Sequence, residues 1–172
     1  MKRVLFIIAQ KDYQDHEYDV SKKILEAVGI EVITASKQIG VCHGAFGAET
    51  EATVAIADIN VSDYDAVVFI GGAGAVNYQQ DVQAHLTAQE AINRGKILGA
   101  ICIAPTILAY SGVLEGKKAT VWNQGGKQAE ILTKNGAEFV DELVVVDGKI
   151  VTANGPPAAE EFGKKILELL NL

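Results

Sequence analysis

Cys102 closes a short apolar run, Lys96-Ile97-Leu98-Gly99-Ala100-Ile101. Ile103, Ala104 and Pro105 follow at once, and then the apolar Ile107-Leu108-Ala109. This order is the pattern of a nucleophile elbow, in which a reactive side chain stands on a tight turn from strand to helix. Gly99, Ala100 and Ala104 leave room for the sharp backbone. The turn aims a helix N-terminus at the sulfur, where the dipole and free N–H groups favour thiolate over thiol. A second reading stays open: a buried structural cysteine that closes a core strand, a common setting for free cysteine.

The groups that could work with such a sulfur lie elsewhere in the chain. Glu17 stands in Lys11-Asp12-Tyr13-Gln14-Asp15-His16-Glu17-Tyr18, just after the first apolar run. It reads either as a solvated residue at a helix start, favoured by the dipole, or as a buried acid. A carboxylic acid buried beside a thiolate would keep its proton, donate a hydrogen bond and move protons during reaction. The turn Gly71-Gly72-Ala73-Gly74-Ala75 follows another apolar run. It does not match the dinucleotide fingerprint, because Asn77 stands where the third glycine belongs, and it lacks the P-loop lysine. Backbone approach to a substrate oxyanion suits it better, with the Gly72 N–H on one side and the Ile103 N–H on the other. The plainer alternative is a tight turn that needs positive φ. The histidines, His16, His43 and His85, all precede Cys102. His16 reads as a surface neighbour of Glu17, His43 as a loop residue and His85 as a polar-face helix residue. Three scattered histidines do not make a metal site. Cys42 has no CxxC partner and reads as structural. Trp122 ends an apolar run and either walls a pocket or packs in the core.

These residues need elements to position them, and strands alternate with helices along the chain. Residues 3–9 form an apolar run without alternation, as in a strand covered on both faces. Residues 18–28 carry an apolar stripe (Val20, Ile24, Leu25, Val28) that Gly29 stops. Further strands are predicted over 30–35, 65–70, 96–101 and 118–122, with helices over 82–94, 104–111, 127–135 and 156–170. Residues 40–59 break the rhythm and read as a hairpin or small side sheet, and 143–152 as a hairpin around Asp147-Gly148. The sum is one α/β domain over residues 1–172 with a mostly parallel sheet and helices on both faces. Ligands of such sheets bind at the carboxyl ends of the strands. Glu17, the 71–75 turn and Cys102 all fall at that edge.

Composition narrows the function. The 172 residues carry 22 acidic against 15 basic side chains, a net charge of −7, which excludes a phosphate-neutralising nucleic-acid binder. No apolar stretch approaches membrane-spanning length, and residues 1–8 are too short an apolar run for a signal peptide. Two cysteines are too few for a disulfide scaffold or a cysteine-based zinc site, so a reducing cytoplasm is the expected setting and no metal or cofactor is expected.

Taken together, several segments resemble the superfamily of PfpI-type intracellular proteases and the parkinsonism-associated deglycase. They are Ala100-Ile101-Cys102-Ile103-Ala104-Pro105, the Gly71-Gly72 turn, Tyr13-Gln14-Asp15-His16-Glu17, and the stretch from Asp147-Gly148 to Asn154-Gly155-Pro156. The resemblance runs over nearly the whole chain. It implies a flavodoxin-like three-layer sandwich with a small side hairpin. It implies a homodimer or larger oligomer, with residues 40–59 and the elements near the elbow as contacts. It implies a nucleophile at Cys102, a protonated Glu17 touching the sulfur, and donors at Gly72 and Ile103. Gly155 and Pro156 would line the same pocket, with Trp122 and Asn123 beside them. Two departures matter. The protease-like branch carries a His directly after the cysteine, where this chain has Ile103. The deglycase-like branch often carries a His where this chain has Trp122. A Cys–His peptidase is therefore disfavoured. The remaining Cys102–Glu17 pair suits attack on a small reactive aldehyde or a damaged protein carrying one. It equally suits oxidation of a low-pKa thiolate in a non-enzymatic redox sensor or chaperone-like dimer.

Overall fold

The computed structural model describes residues 1–171. In chain order its elements are β1 (Arg3–Ile7), β2 (Lys11–Tyr13), α1 (Asp15–Glu26), β3 (Glu31–Ser36), β4 (Gly40–Gly44), β5 (Glu49–Ala52), β6 (Val54–Ala55) and β7 (Ala66–Phe69). There follow α2 (Val82–Asn93), β8 (Ile97–Ile101), α3 (Pro105–Ser111), β9 (Lys118–Ala119), α4 (Lys127–Lys134), β10 (Glu138–Phe139), β11 (Val144–Asp147), β12 (Ile150–Ala153) and α5 (Ala159–Leu170). The main sheet has the order β11-β12-β8-β7-β1-β3-β6. All its pairs are parallel except β11 with β12. This is the expected flavodoxin-like α/β sandwich.

The apolar run of β1 lacks alternation because both of its faces are covered. Val4, Phe6 and Ile8 belong to the core shared with Leu25, Phe162 and Ile166 of α1 and α5. Leu5 and Ile7 belong to the opposite core, with Ala84 and Ala88 of α2 and Ile107 and Leu108 of α3. The backbones of α1 and α5 approach closely, since a Cβ on Gly163 would stand 3.2 Å from Ser21 Cα.

Residues 40–59 form the expected hairpin, β4 with β5, and β2 joins it as a three-stranded side sheet. The segment also contributes β6 to the edge of the main sheet. The predicted strand over 118–122 is shorter than expected. Only Lys118 and Ala119 pair, with β10. Beyond them the N–H of Thr120 donates to Thr152 Oγ1 at 2.9 Å and that of Trp122 to the Cys102 carbonyl at 2.8 Å. The chain thus spends these donors on β12 and the elbow instead of a ladder. Residues 156–158 form a 3-10 turn, and α5 begins after it. His43 lies on β4, not in a loop, with Nδ1 3.5 Å from Glu49. No helix among the described residues is long and apolar enough to cross a membrane.

Candidate active site

Three neighbouring strands of the sheet, β8, β7 and β1, release their chains at the same edge. The loop after β8 is the elbow. Cys102 has φ 65°, a left-handed conformation that is uncommon for a side chain with a Cβ. Two hydrogen bonds hold it there: its N–H donates to Ala153 at 2.9 Å and its carbonyl accepts from Trp122. Strain of this kind costs about 1–3 kcal/mol and persists only where the surroundings over-determine it.

The chain after β1 brings Glu17 to the same place. Gln14 caps α1, its Oε1 accepting from the Glu17 N–H at 2.9 Å, so Glu17 is the third residue of the helix. Asp15 ties the helix start to the side hairpin by accepting from the N–H groups of Phe46 and Ala48. Far from being solvated, Glu17 is 0% exposed. Its Oε1 accepts from the Gly71 N–H at 3.0 Å, and Oε2 is buried with no hydrogen-bond partner.

The turn after β7 lies between the two. Gln14 donates its N–H to the Gly71 carbonyl at 2.9 Å, so Gly71 clamps the start of α1 in both directions. A Cβ on Gly71 would stand 2.5 Å from Cys102 Cβ and 2.6 Å from Glu17 Oε1, so the acid and the thiol flank one point. At Gly72, φ is 106° and a Cβ would meet the Asp12 carbonyl at 2.3 Å. Only glycine fits there.

Burial sets the electrostatics. It pushes Glu17 up to about 8, against the Gly71 N–H and Cys102, which pull it down. Glu17 therefore holds its proton at neutral pH. Burial and then the Glu17 charge push Cys102 up to about 12, while the N–H groups of Gly72 and Ile103 oppose them. Desolvation thus works against the thiolate, and the backbone N–H groups of the two turns work for it. A proton on Glu17 removes the charge that disfavours the thiolate, so the pair accommodates one negative charge, not two.

A cavity of about 420 Å³ opens over the sulfur, walled by Gly72, Ala73, Val76, Cys102, Ile103, Trp122 and Gln128. Trp122 is 38% exposed, so it walls a pocket instead of filling the core. Asn123, Gly155 and Pro156 do not line this cavity. They line an adjoining one, which Trp122 separates from the first. The cause is the irregular path after Ala119, which lays the indole between the elbow and the Gly155 turn. None of the three histidines lines the Cys102 cavity. His16 is exposed, His43 faces Glu49, and His85 Nε2 lies 2.7 Å from the Gln79 carbonyl. Among the described residues there is no cluster of His, Cys, Asp and Glu fit to hold a metal ion. Cys42 is fully buried between the sheets, and Gln10 Nε2 donates to its sulfur at 3.4 Å.

Sequence reasoning missed Gly71 as the Glu17 donor and Gln128 as a wall residue. Gly71 stands within a visible glycine turn, but which N–H points where follows from strand order. Gln128 carries no local signal.

The DJ-1/PfpI family model matches residues 2–169. This chain belongs to the DJ-1/PfpI family. Among relatives, the glutathione-independent glyoxalase DJR-1.2 of Caenorhabditis elegans is 26% identical over 98% of this chain and 89% of its own length. The deglycase PfpI of Pyrococcus furiosus is 29% identical over 98% of this chain and 99% of its own. The crystal structure of a ThiJ/PfpI domain protein from Brachyspira murdochii superimposes with a TM-score of 0.94 at 30% identity, covering 98% of this chain and 96% of that one. The DJ-1/PfpI fold thus extends over nearly all of this chain.

Proposed function

We propose that this member of the DJ-1/PfpI family is a cysteine-dependent stress-defence enzyme that converts small 2-oxoaldehydes to 2-hydroxy acids. The observation that carries the reading is the fully buried carboxyl of Glu17 in contact with Cys102, whose sulfur opens on a cavity of about 420 Å³. Relatives named glyoxalase and deglycase support the same chemistry.

The reactive form carries one negative charge, on sulfur, with the proton on Glu17. The sulfur bonds to the aldehyde carbon, and the carbonyl oxygen, facing the N–H groups of Gly72 and Ile103, takes the Glu17 proton. Glu17, now a carboxylate, removes the hydrogen from that carbon to give an enediolate and returns it to the neighbouring carbon, while the hydroxyl proton passes from the first oxygen to the second. The result is a thioester. Water then adds to the thioester carbon, giving a proton to Glu17, and the 2-hydroxy acid leaves as the C–S bond breaks. The cycle ends with the thiolate and the protonated Glu17 restored. A peptidase of the Cys–His type is disfavoured, because no histidine lines the cavity among the described residues.

The test is methylglyoxal consumption with lactate formation by the wild type and by Cys102→Ala. The wild type is expected to turn over and the variant to be inert. A wild type that leaves methylglyoxal unchanged would refute the enzymatic reading and leave the redox-sensor or chaperone-like alternative. We further infer that the protein acts in the cytoplasm as a homodimer, a reading that the family resemblance supports. Exposed Ile39, Val41 and Phe46, in and just before the side hairpin, offer an apolar contact. A sedimentation profile of a stable monomer at micromolar concentration would count against the dimer.

A further inference from the structure

We propose that Gln128 makes the Cys102 cavity selective for 1,2-dicarbonyl compounds over simple aldehydes, by donating its Nε2–H to the second carbonyl oxygen. The inference rests on the reading of Cys102 as aldehyde-reactive. Gly72, Ala73, Val76 and Ile103 give the cavity walls without side-chain hydrogen-bonding groups, and only Trp122 and Gln128 add such groups to that of Cys102. The indole is shared with the adjoining cavity. A Cβ on Gly155 would stand 3.8 Å from Trp122 Cδ1, so the ring is packed against the Gly155 turn of the adjoining cavity.

Gln128 is oriented differently. It is half-buried in the first turn of α4, and its Oε1 accepts from the Gln124 N–H at 2.8 Å. Only the amide oxygen can accept from a backbone N–H, so the –NH2 end is the end left free. When the sulfur adds to an aldehyde, the oxygen formed lies toward the N–H groups of Gly72 and Ile103. In a 2-oxoaldehyde the second oxygen is on the next carbon, and a donor on another wall of the cavity can hold it. Propanal has a methylene at that carbon and gains nothing from Gln128. A site that hydrogen-bonds a substrate group discriminates against the analogue lacking it.

The experiment reads protection of Cys102 from iodoacetamide by mass spectrometry, with methylglyoxal or propanal as the protecting aldehyde. Gln128→Leu removes the amide. Gln128→Glu keeps the shape and the acceptor for the Gln124 N–H but replaces the donor. In both variants the half-protecting concentration of methylglyoxal is expected to rise roughly fivefold to tenfold, the loss of one hydrogen bond, with propanal unchanged. An equal rise for both aldehydes would show a merely structural role, and no rise for methylglyoxal would show no contact. Either overturns the proposal while leaving Cys102 reactivity intact. A wild-type Cys102 protected by neither aldehyde overturns the underlying reading, before any variant is compared.

Discussion

Replacing Glu17 by Gln tests the centre of the argument through stability as well as rate. Glu17 is fully buried, and its pKa is raised from 4.5 to about 8. The native state therefore binds this proton more tightly than the unfolded chain. Between those two values the native state carries more protons, so unfolding free energy falls as pH rises. Each pH unit in that window is worth about 1.4 kcal/mol. Relative to pH 4 and below, the ionisable Glu17 thus costs about 3 kcal/mol of stability at pH 7 and about 4 kcal/mol at pH 8. Gln does not titrate, and its Oε1 can still accept from Gly71. Urea unfolding of wild type and Glu17→Gln across pH 4–8 gives the difference directly, since other titrating groups cancel. The variant is expected to match the wild type near pH 4 and to exceed it by roughly 4 kcal/mol at pH 8. In the same variant Cys102 alkylation should persist, while aldehyde turnover is lost with the proton carrier. Parallel stability curves, or full turnover by Glu17→Gln, would refute a buried protonated acid in the mechanism.

Limiting iodoacetamide should label Cys102 before Cys42, because Cys102 opens on a cavity while Cys42 is 0% exposed. Peptide mass mapping with Cys42 labelled first would contradict this. Gly71→Ala should wedge a methyl group between Cys102 and Glu17, costing about 1–3 kcal/mol of stability. It should also lower methylglyoxal turnover at least tenfold, as measured by melting and steady-state assay. Phe162→Ala empties the α5 core under Gly99, whose Cβ would stand 3.1 Å from the ring. It should cost about 3–5 kcal/mol in denaturant unfolding. The folded fraction should keep its aldehyde chemistry.

Much of the architecture was legible because both-sided burial leaves a direct trace. The apolar runs of β1, β7 and β8 and the amphipathic stripe of α1 need no tertiary information to read. The elbow was legible for a similar reason, since small residues and a proline crowd one cysteine. What failed is the stretch after Ala119. Thr120, Val121 and Trp122 have strand-forming side chains, and their local preference points to β structure. Tertiary bonds to Thr152 and Cys102 outweigh it. That override moved Asn123, Gly155 and Pro156 into the adjoining cavity and brought Gln128 to the wall. The burial of Cys102 was not legible for a related reason. A turn pattern shows the helix that follows it but not the depth at which the sulfur is buried.

Strand order explains why the site takes the form it does. Cys102 follows β8 and Glu17 follows β1, and these strands are not neighbours, because β7 runs between them. Two side chains from the outer strands can meet over the middle one only if its loop presents no side chain at that point. Gly71 satisfies the condition, and its bare backbone does more than stay out of the way. Its N–H donates to Glu17 and its carbonyl accepts from Gln14, which fixes the acid against the sulfur. Gly72 then turns with positive φ and offers the next N–H toward Cys102. A side chain in the middle loop would separate the pair, and a flexible loop would lose the donors. The reactive pair is therefore a property of three adjacent strands, with the glycines of the central one setting the contact that the acid and the thiol share.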